Sequence, residues 1–187
     1  MEVVETSLPG VLLFKPRVLG DARGFFLETF SAARYAAAGV PGPFVQDNLS
    51  RSQRGVLRGL HLQQPFAQGK LVSVADGEVF DVAVDVRVGS PTFGRWWGAT
   101  LSGENQHQVY IPPGFAHGFC AMRDATLFSY KCTEVYHREA ELGVSWNDPD
   151  IGIKWPLDAP LVSAKDEALP RLRDISHERL PRFSASP

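Results

Sequence analysis

Between Glu78 and Arg87 the chain alternates strictly, with Phe80, Val82, Val84 and Val86 on one parity and Val79, Asp81, Ala83 and Asp85 on the other. Side chains of an extended chain point to opposite faces in turn. The pattern therefore predicts a half-buried strand and excludes a helix, which repeats about every 3.6 residues. Shorter stretches of the same kind lie at Val56–Gln63, Lys70–Ala75, Arg95–Leu101, Gln108–Ile111, Gly118–Met122 and Thr126–Thr133. Turn residues separate them: Gly89-Ser90-Pro91, Ser102-Gly103, Pro112-Pro113-Gly114 and Arg123-Asp124. Evenly spaced short strands with little helical sequence between them predict an antiparallel sandwich or barrel. Helix is predicted at Ser31–Ala38, with a Ser N-cap and a Gly39 stop. It is predicted again at Ser163–Ala168, where Ser163 and Asp166 are spaced as in a capping box. About the first forty residues and about the last thirty read as segments wrapping this scaffold. The fold class is all-β, of jelly-roll or sandwich type, with short helices near the termini.

The 187 residues, 44% apolar and 21% charged, suit one domain spanning 1–187. A net charge of −2 gives no basic face for nucleic acid or an anionic membrane. No apolar stretch approaches the roughly 20 residues that cross a bilayer. The start, Met1-Glu2-Val3-Val4-Glu5, is acidic and lacks the basic opening of a signal peptide. Cys120 and Cys132 sit in strand-like apolar sequence and read as small buried core residues. A disulfide is the lesser expectation without an export signal. The expected location is the cytoplasm.

His61 lies in Gly59-Leu60-His61-Leu62-Gln63, with Leu60 and Leu62 on the opposite strand face. Arg58 has the other parity from His61 and Gln63, although a bulge at Gly59 would bring it round. His117 closes Pro112-Pro113-Gly114-Phe115-Ala116-His117. This is the Pro-x-Gly-x-x-His turn that holds a histidine at the mouth of cupin barrels, often as a metal ligand. The companion half of that motif is His-x-His followed by an acid, and here the place reads His61-Leu62-Gln63 without one. Two histidines fall short of the three protein ligands a catalytic metal usually takes, so the fold signal stands and no metal is predicted. Taken singly, the other candidates have ordinary explanations. Lys70 reads equally as a solvated surface lysine, Tyr130 as a core aromatic sharing a face with Phe128 and Cys132, and Asp166 as a helix-cap acid. His61 itself reads equally as a half-buried histidine satisfied by hydrogen bonds.

Longer strings, read in order, resemble the dTDP-4-dehydrorhamnose 3,5-epimerase family. They are Gly20-Asp21-Ala22-Arg23-Gly24-Phe25-Phe26, Phe44-Val45-Gln46-Asp47-Asn48, Gly55-Val56-Leu57-Arg58-Gly59-Leu60-His61 and Gln68-Gly69-Lys70-Leu71-Val72. Then come Gly77 to Asp85, Ser90-Pro91-Thr92-Phe93-Gly94, Ile111 to Phe119, Tyr130-Lys131, Trp146-Asn147-Asp148 and Ser163-Ala164-Lys165-Asp166. The similarity runs over nearly the whole chain. One departure is Leu49-Ser50, where the family often has His-Ser. The resemblance implies a cupin-type jelly roll that forms a homodimer with exchanged N-terminal segments. It implies a dTDP-linked 4-keto-6-deoxyhexose as substrate and no cofactor. His61 would be the general base, Tyr130 the general acid, Asp166 the partner of the imidazole, and Lys70 the oxyanion stabiliser. Arg58 and His117 would line the sugar pocket, and Gln46, Asp47 and Asn48 would hold the nucleotide end. Tyr136 would stack on thymine, Glu141 and Lys165 would add ligand contacts, and Arg23 and Glu28 would reach in from the partner chain.

The chemistry needs these types. Removing a hydrogen beside a ketone puts charge on the ketone oxygen, so inversion needs a base on one face, an acid on the other and a cation at that oxygen. An imidazole of unperturbed pKa about 6.5 serves as base near neutrality. A phenol of pKa about 10 holds its proton until it is needed. Arg23, Arg58 and Lys165 would meet the diphosphate. Three rival readings remain at this level: a single-centre C3 or C5 epimerase, a metal-dependent cupin, and a non-catalytic sugar-nucleotide binding module.

Overall fold

The computed structural model describes residues 1–184. The elements in chain order are β1 (Glu2–Glu5), β2 (Leu12–Lys15), β3 (Leu19–Asp21), β4 (Gly24–Phe26), α1 (Ala32–Ala37), β5 (Gln46–Ser52), β6 (Val56–Gln63) and β7 (Lys70–Asp76). They continue with β8 (Glu78–Asp85), β9 (Trp96–Ser102), β10 (Gln108–Ile111), β11 (Phe115–Ala121), β12 (Thr126–Cys132), β13 (Glu141–Gly143), β14 (Leu161–Val162) and α2 (Ala164–Glu167). One sheet runs β1-β2-β10-β7-β12-β5 and the other β13-β6-β11-β8-β9, with β14 added in parallel beside β6. β3 and β4 form a separate hairpin. Two facing antiparallel sheets make the expected jelly-roll sandwich.

The central core lies between the sheets. Val72, Val74, Val109 and Phe128 of the first sheet meet Val79, Ala83, Phe115 and Phe119 of the second. Each sheet is also covered outside. Tyr35 of α1 and Val40 pack on Phe14, Leu71 and Tyr110 of the first sheet. Val144, Ile151, Leu172, Ile175 and Leu180 of the C-terminal segment pack on Leu60, Leu62, Val82, Val84 and Ala116 of the second.

This coat corrects the reading of β8. The strand alternates as expected but is buried on both faces, because the C-terminal segment seals what an open sandwich would leave wet. The N-terminal segment also does more than wrap, since β2 hydrogen-bonds to β10 and extends the first sheet. β11 begins at Phe115, ahead of the expected Gly118, so His117 sits inside a strand. β5 had no strand signal, for a reason that the site supplies. Cys120 and Cys132 are buried free thiols, as read from the sequence. Among the described residues no helix is long and apolar enough to cross a membrane.

Candidate active site

A cleft opens where β6 and β11 of one sheet face β7, β12 and β5 of the other. One lobe, of about 400 Å³, is lined by Arg58, His61, Lys70, His117, Tyr130, Lys165 and Asp166 among others. A second lobe of about 260 Å³ shares His61, Lys70 and Tyr130 and adds Gln46, Asn48, Gln63, Tyr136 and Glu141. His61 projects from β6 and is paired across the ladder with His117 of β11. Lys70 and Tyr130 come from the opposite sheet, on β7 and β12.

The expected bulge is present. His117 pairs with His61 and Phe119 with Arg58, so two residues of β6, Gly59 and Leu60, stand opposite Gly118 alone. That extra residue brings Arg58 and His61 to one cavity. Only glycine fits here: Gly59 has φ of +130°, and a Cβ on it would lie 2.6 Å from the Gly118 Cα. Arg58 is held by its Nε donating to Ser52 Oγ at 3.2 Å.

Asp166 reaches His61 through β14. That strand runs beside Val56 and Leu57, and Ser163 then caps α2 by accepting from the Asp166 N–H at 3.1 Å. The carboxylate itself does not return to the cap, as a full capping box requires. One oxygen lies 2.7 Å from His61 Nε2, and the other accepts from Gly59 N–H at 3.2 Å. Burial works against its charge, but these contacts outweigh it and hold the carboxyl below the usual range. With Nε2–H donated to Asp166, His61 keeps its lone pair on Nδ1.

The Lys70 ammonium has no hydrogen-bond or ion-pair partner among the described residues, and burial pulls it below the ordinary lysine value. Cys132, Asp81 and Glu141 partly restore the charge. Burial pushes the Tyr130 phenol upward, so it holds its proton at rest. His117 is buried and stacks on Phe128; burial keeps it below the usual imidazole range despite the Asp81 carboxylate 2.8 Å from its Nε2.

At the other lobe Tyr136 donates to Glu141 at 2.9 Å and Lys165 donates to the same carboxylate at 2.6 Å. Burial opposes the Glu141 charge, but these bonds prevail and lower its pKa. Gln46 and Asn48 project into this lobe from β5, whereas Asp47 points to the far face and binds Lys131. Arg23 and Glu28 line neither lobe; Arg23 pairs with Asp21 and Glu28 with Arg34.

Residues outside the sequence-based set also belong to the site, Gln63 of the second lobe among them. Asp81 orients His117, and its parity opposite Phe80 and Val82 was the only sign of it. Ser50 places in the first lobe a buried hydroxyl with no hydrogen-bond partner among the described residues. β5 escaped detection because its inner face is Gln46, Asn48, Ser50 and Ser52, a polar lining where an ordinary strand carries an apolar stripe.

The His61 imidazole with its partner carboxylate on one wall of the cleft, and the Lys70 ammonium and Tyr130 phenol on the other, bring together the groups that acid–base epimerisation needs, in a cupin-type jelly roll. The family model described as dTDP-4-dehydrorhamnose 3,5-epimerase matches residues 5–174, and the chain belongs to that family. A Neisseria gonorrhoeae dTDP-4-dehydrorhamnose 3,5-epimerase is 57% identical over 90% of this chain, although the match spans only 52% of that protein. The Shigella flexneri enzyme of the same name is 54% identical, over 89% of this chain and 93% of its own. A solved Legionella pneumophila dTDP-6-deoxy-D-glucose-3,5-epimerase, in complex with dTDP-4-keto-L-rhamnose, superposes with a TM-score of 0.96. It is 52% identical, covering 98% of this chain and 99% of that one.

Proposed function

We propose that residues 1–187 act as one epimerase domain that inverts C3 and C5 of dTDP-4-dehydro-6-deoxy-D-glucose to give dTDP-4-dehydro-L-rhamnose. The observation that carries this is the division of the machinery between facing sheets: His61 and Asp166 on one side of the cleft, Tyr130 and Lys70 on the other. Inversion requires a proton to leave one face of a carbon and return to the other, and this cleft offers a base and an acid from opposite walls.

His61 Nδ1 takes the proton from the carbon beside the C4 ketone, and the C–H electron pair forms a double bond to C4, placing the charge of the enolate on the C4 oxygen. Lys70 stabilises the oxygen. A fixed donor of this kind is worth roughly 10²–10³ in rate in other sites. Asp166 stabilises the imidazolium. Tyr130 then protonates the carbon from the opposite face; the imidazolium gives its proton to water, the phenolate takes one up from water, and the cycle repeats at the second carbon, because both flank the same ketone. Tyr136 stacks on thymine and Arg58 meets the diphosphate. A homodimer is part of the proposal: the β3–β4 hairpin carries Phe25 and Phe26, 59% and 69% exposed, and Arg23 projects from it into solvent. Arg23 and Glu28 would then reach the cleft of the partner chain. The free thiols fit a cytoplasmic location.

The test is incubation with dTDP-4-dehydro-6-deoxy-D-glucose and NMR of the product. Inversion at both centres, abolished in His61→Ala, is the expected result. Inversion at one centre would replace the proposal with a C3-only or C5-only enzyme. Binding without turnover would leave a binding module.

A further inference from the structure

The stretch from Glu134 to His137, which carries Tyr136, is held in an unusual way. Each of its four residues has a backbone group bonded to a side-chain amide from elsewhere. Gln68 Nε2 donates to Glu134 O at 2.8 Å, and Tyr136 N–H donates to Gln46 Oε1 at 2.8 Å. Gln63 makes the remaining contacts alone. Its Nε2 donates to Val135 O at 3.1 Å and to Phe66 O at 2.9 Å, while its Oε1 accepts from His137 N–H at 2.7 Å. Gln63 is 4% exposed, and both N–H groups and the carbonyl are used.

Surface loops usually leave their backbone to water and move accordingly. Here the backbone is fixed while Tyr136 stays half-exposed, at 52%, with its phenol tied to Glu141. The neighbouring His137 ring stacks on Phe66 at 4.2 Å and closes the other end of the stretch. Gln63 also occupies the place where a metal-binding cupin would carry the second histidine of His-x-His. It lies two residues beyond His61 on the same face of β6.

We propose that Gln63 is a positioning residue for recognition of the nucleotide base, holding the 134–137 backbone so that Tyr136 stands preset to stack. This rests on the reading of Tyr136 as the thymine platform. A loop already fixed loses little freedom when the base arrives, and that saving appears as affinity. The anchor also ties the base platform to the strand that bears His61.

The experiment measures inhibition by dTDP and by inorganic pyrophosphate in wild type, Tyr136→Ala, Gln63→Leu, Gln63→Glu and the Tyr136→Ala/Gln63→Leu double variant. Gln63→Glu preserves volume and the acceptor for His137 N–H while losing both donors, and it stands in if Gln63→Leu does not fold. Pyrophosphate, which has no base, reports an intact diphosphate site. The expected result is dTDP affinity weaker by about tenfold in the Gln63 variants, with pyrophosphate affinity within about twofold of wild type. Substrate KM rises and kcat at saturation stays within about twofold. The double variant binds dTDP no more weakly than Tyr136→Ala. Wild-type dTDP affinity in the Gln63 variants, an equal loss for pyrophosphate, or additive losses in the double variant would each overturn the role of Gln63. Unchanged dTDP affinity in Tyr136→Ala would instead remove the stacking role, and the inference with it.

Discussion

Replacing Asp166 by Asn keeps the shape of the side chain and removes its charge. Asp166 is 3% exposed, and its two oxygens serve different donors, His61 Nε2 at 2.7 Å and Gly59 N–H at 3.2 Å. An amide has one acceptor and one donor end. If its oxygen faces His61, its NH₂ faces the Gly59 N–H, and a buried donor goes unpaired at a cost of about 1–3 kcal/mol. If the oxygen turns to Gly59, both contacts are met only when His61 Nε2 accepts. The ring proton then sits on Nδ1, and the cavity loses its lone pair. The second arrangement wins by that same 1–3 kcal/mol, leaving the competent tautomer in roughly one molecule in five to one in 150. Loss of the carboxylate removes a further 4 kcal/mol or so of imidazolium stabilisation, for unit charges about 4 Å apart at an effective dielectric of about 20. At about 1.4 kcal/mol per tenfold, kcat falls by about 10³-fold or more, up to about 10⁵. KM stays within about threefold, because no substrate contact is removed. NMR of substrate conversion measures kcat, and thermal unfolding followed by circular dichroism checks the fold. A loss smaller than about tenfold in a folded variant would refute the reasoning.

Lys70 must be charged to stabilise an enolate, and burial places its pKa below the free value of 10.5. Tyr130 is shifted upward, so the alkaline limb of kcat/KM belongs to Lys70 and falls below pH 10.5. Lys70→Arg, whose guanidinium stays charged, moves that limb upward even if the rate drops; an unmoved limb would reassign it. His117 is held below 6.5 in the fold, so as pH falls through 6.5 the unfolded chain takes up a proton first and stability declines. Asp166 is held below 3.8, so its contribution is present above 3.8 and disappears as pH falls through the folded value. Denaturant titration across pH should show His117→Asn flattening the upper stage only; an unchanged slope there would contradict the His117 account. Gly59→Ala combines a left-handed φ with a backbone clash and should cost on the order of 3 kcal/mol or more. At roughly 2–4 °C per kcal/mol that lowers Tm by about 6–12 °C; a shift under about 2 °C would mean the bulge relaxes freely.

The scaffold and half the site could be read from the chain because they obey local rules. The alternation in β8, the outward Leu60 and Leu62 beside an inward His61, and Gly59 as a bulge all follow from parity and backbone freedom. What stayed hidden depends on contacts distant in sequence. A Ser163-x-x-Asp166 spacing cannot tell whether the carboxylate returns to its cap or turns to His61, 105 residues away. Asp81 shares its parity with Val79 and Ala83, and nothing local tells that it meets His117, 36 residues away. β5 fails any hydrophobic period, since one of its faces lines a polar cleft and the other carries the exposed Asp47, Leu49 and Arg51.

The central claim is that base and acid act from opposite walls, and the most direct test is turnover in D₂O followed by NMR. Wild type should yield inverted product carrying deuterium at C3 and C5. Tyr130→Phe should still let His61 remove hydrogen and return deuterium to the same face, so recovered substrate becomes labelled without inversion. Inversion at the wild-type rate in Tyr130→Phe, or no exchange in either protein, would contradict the account.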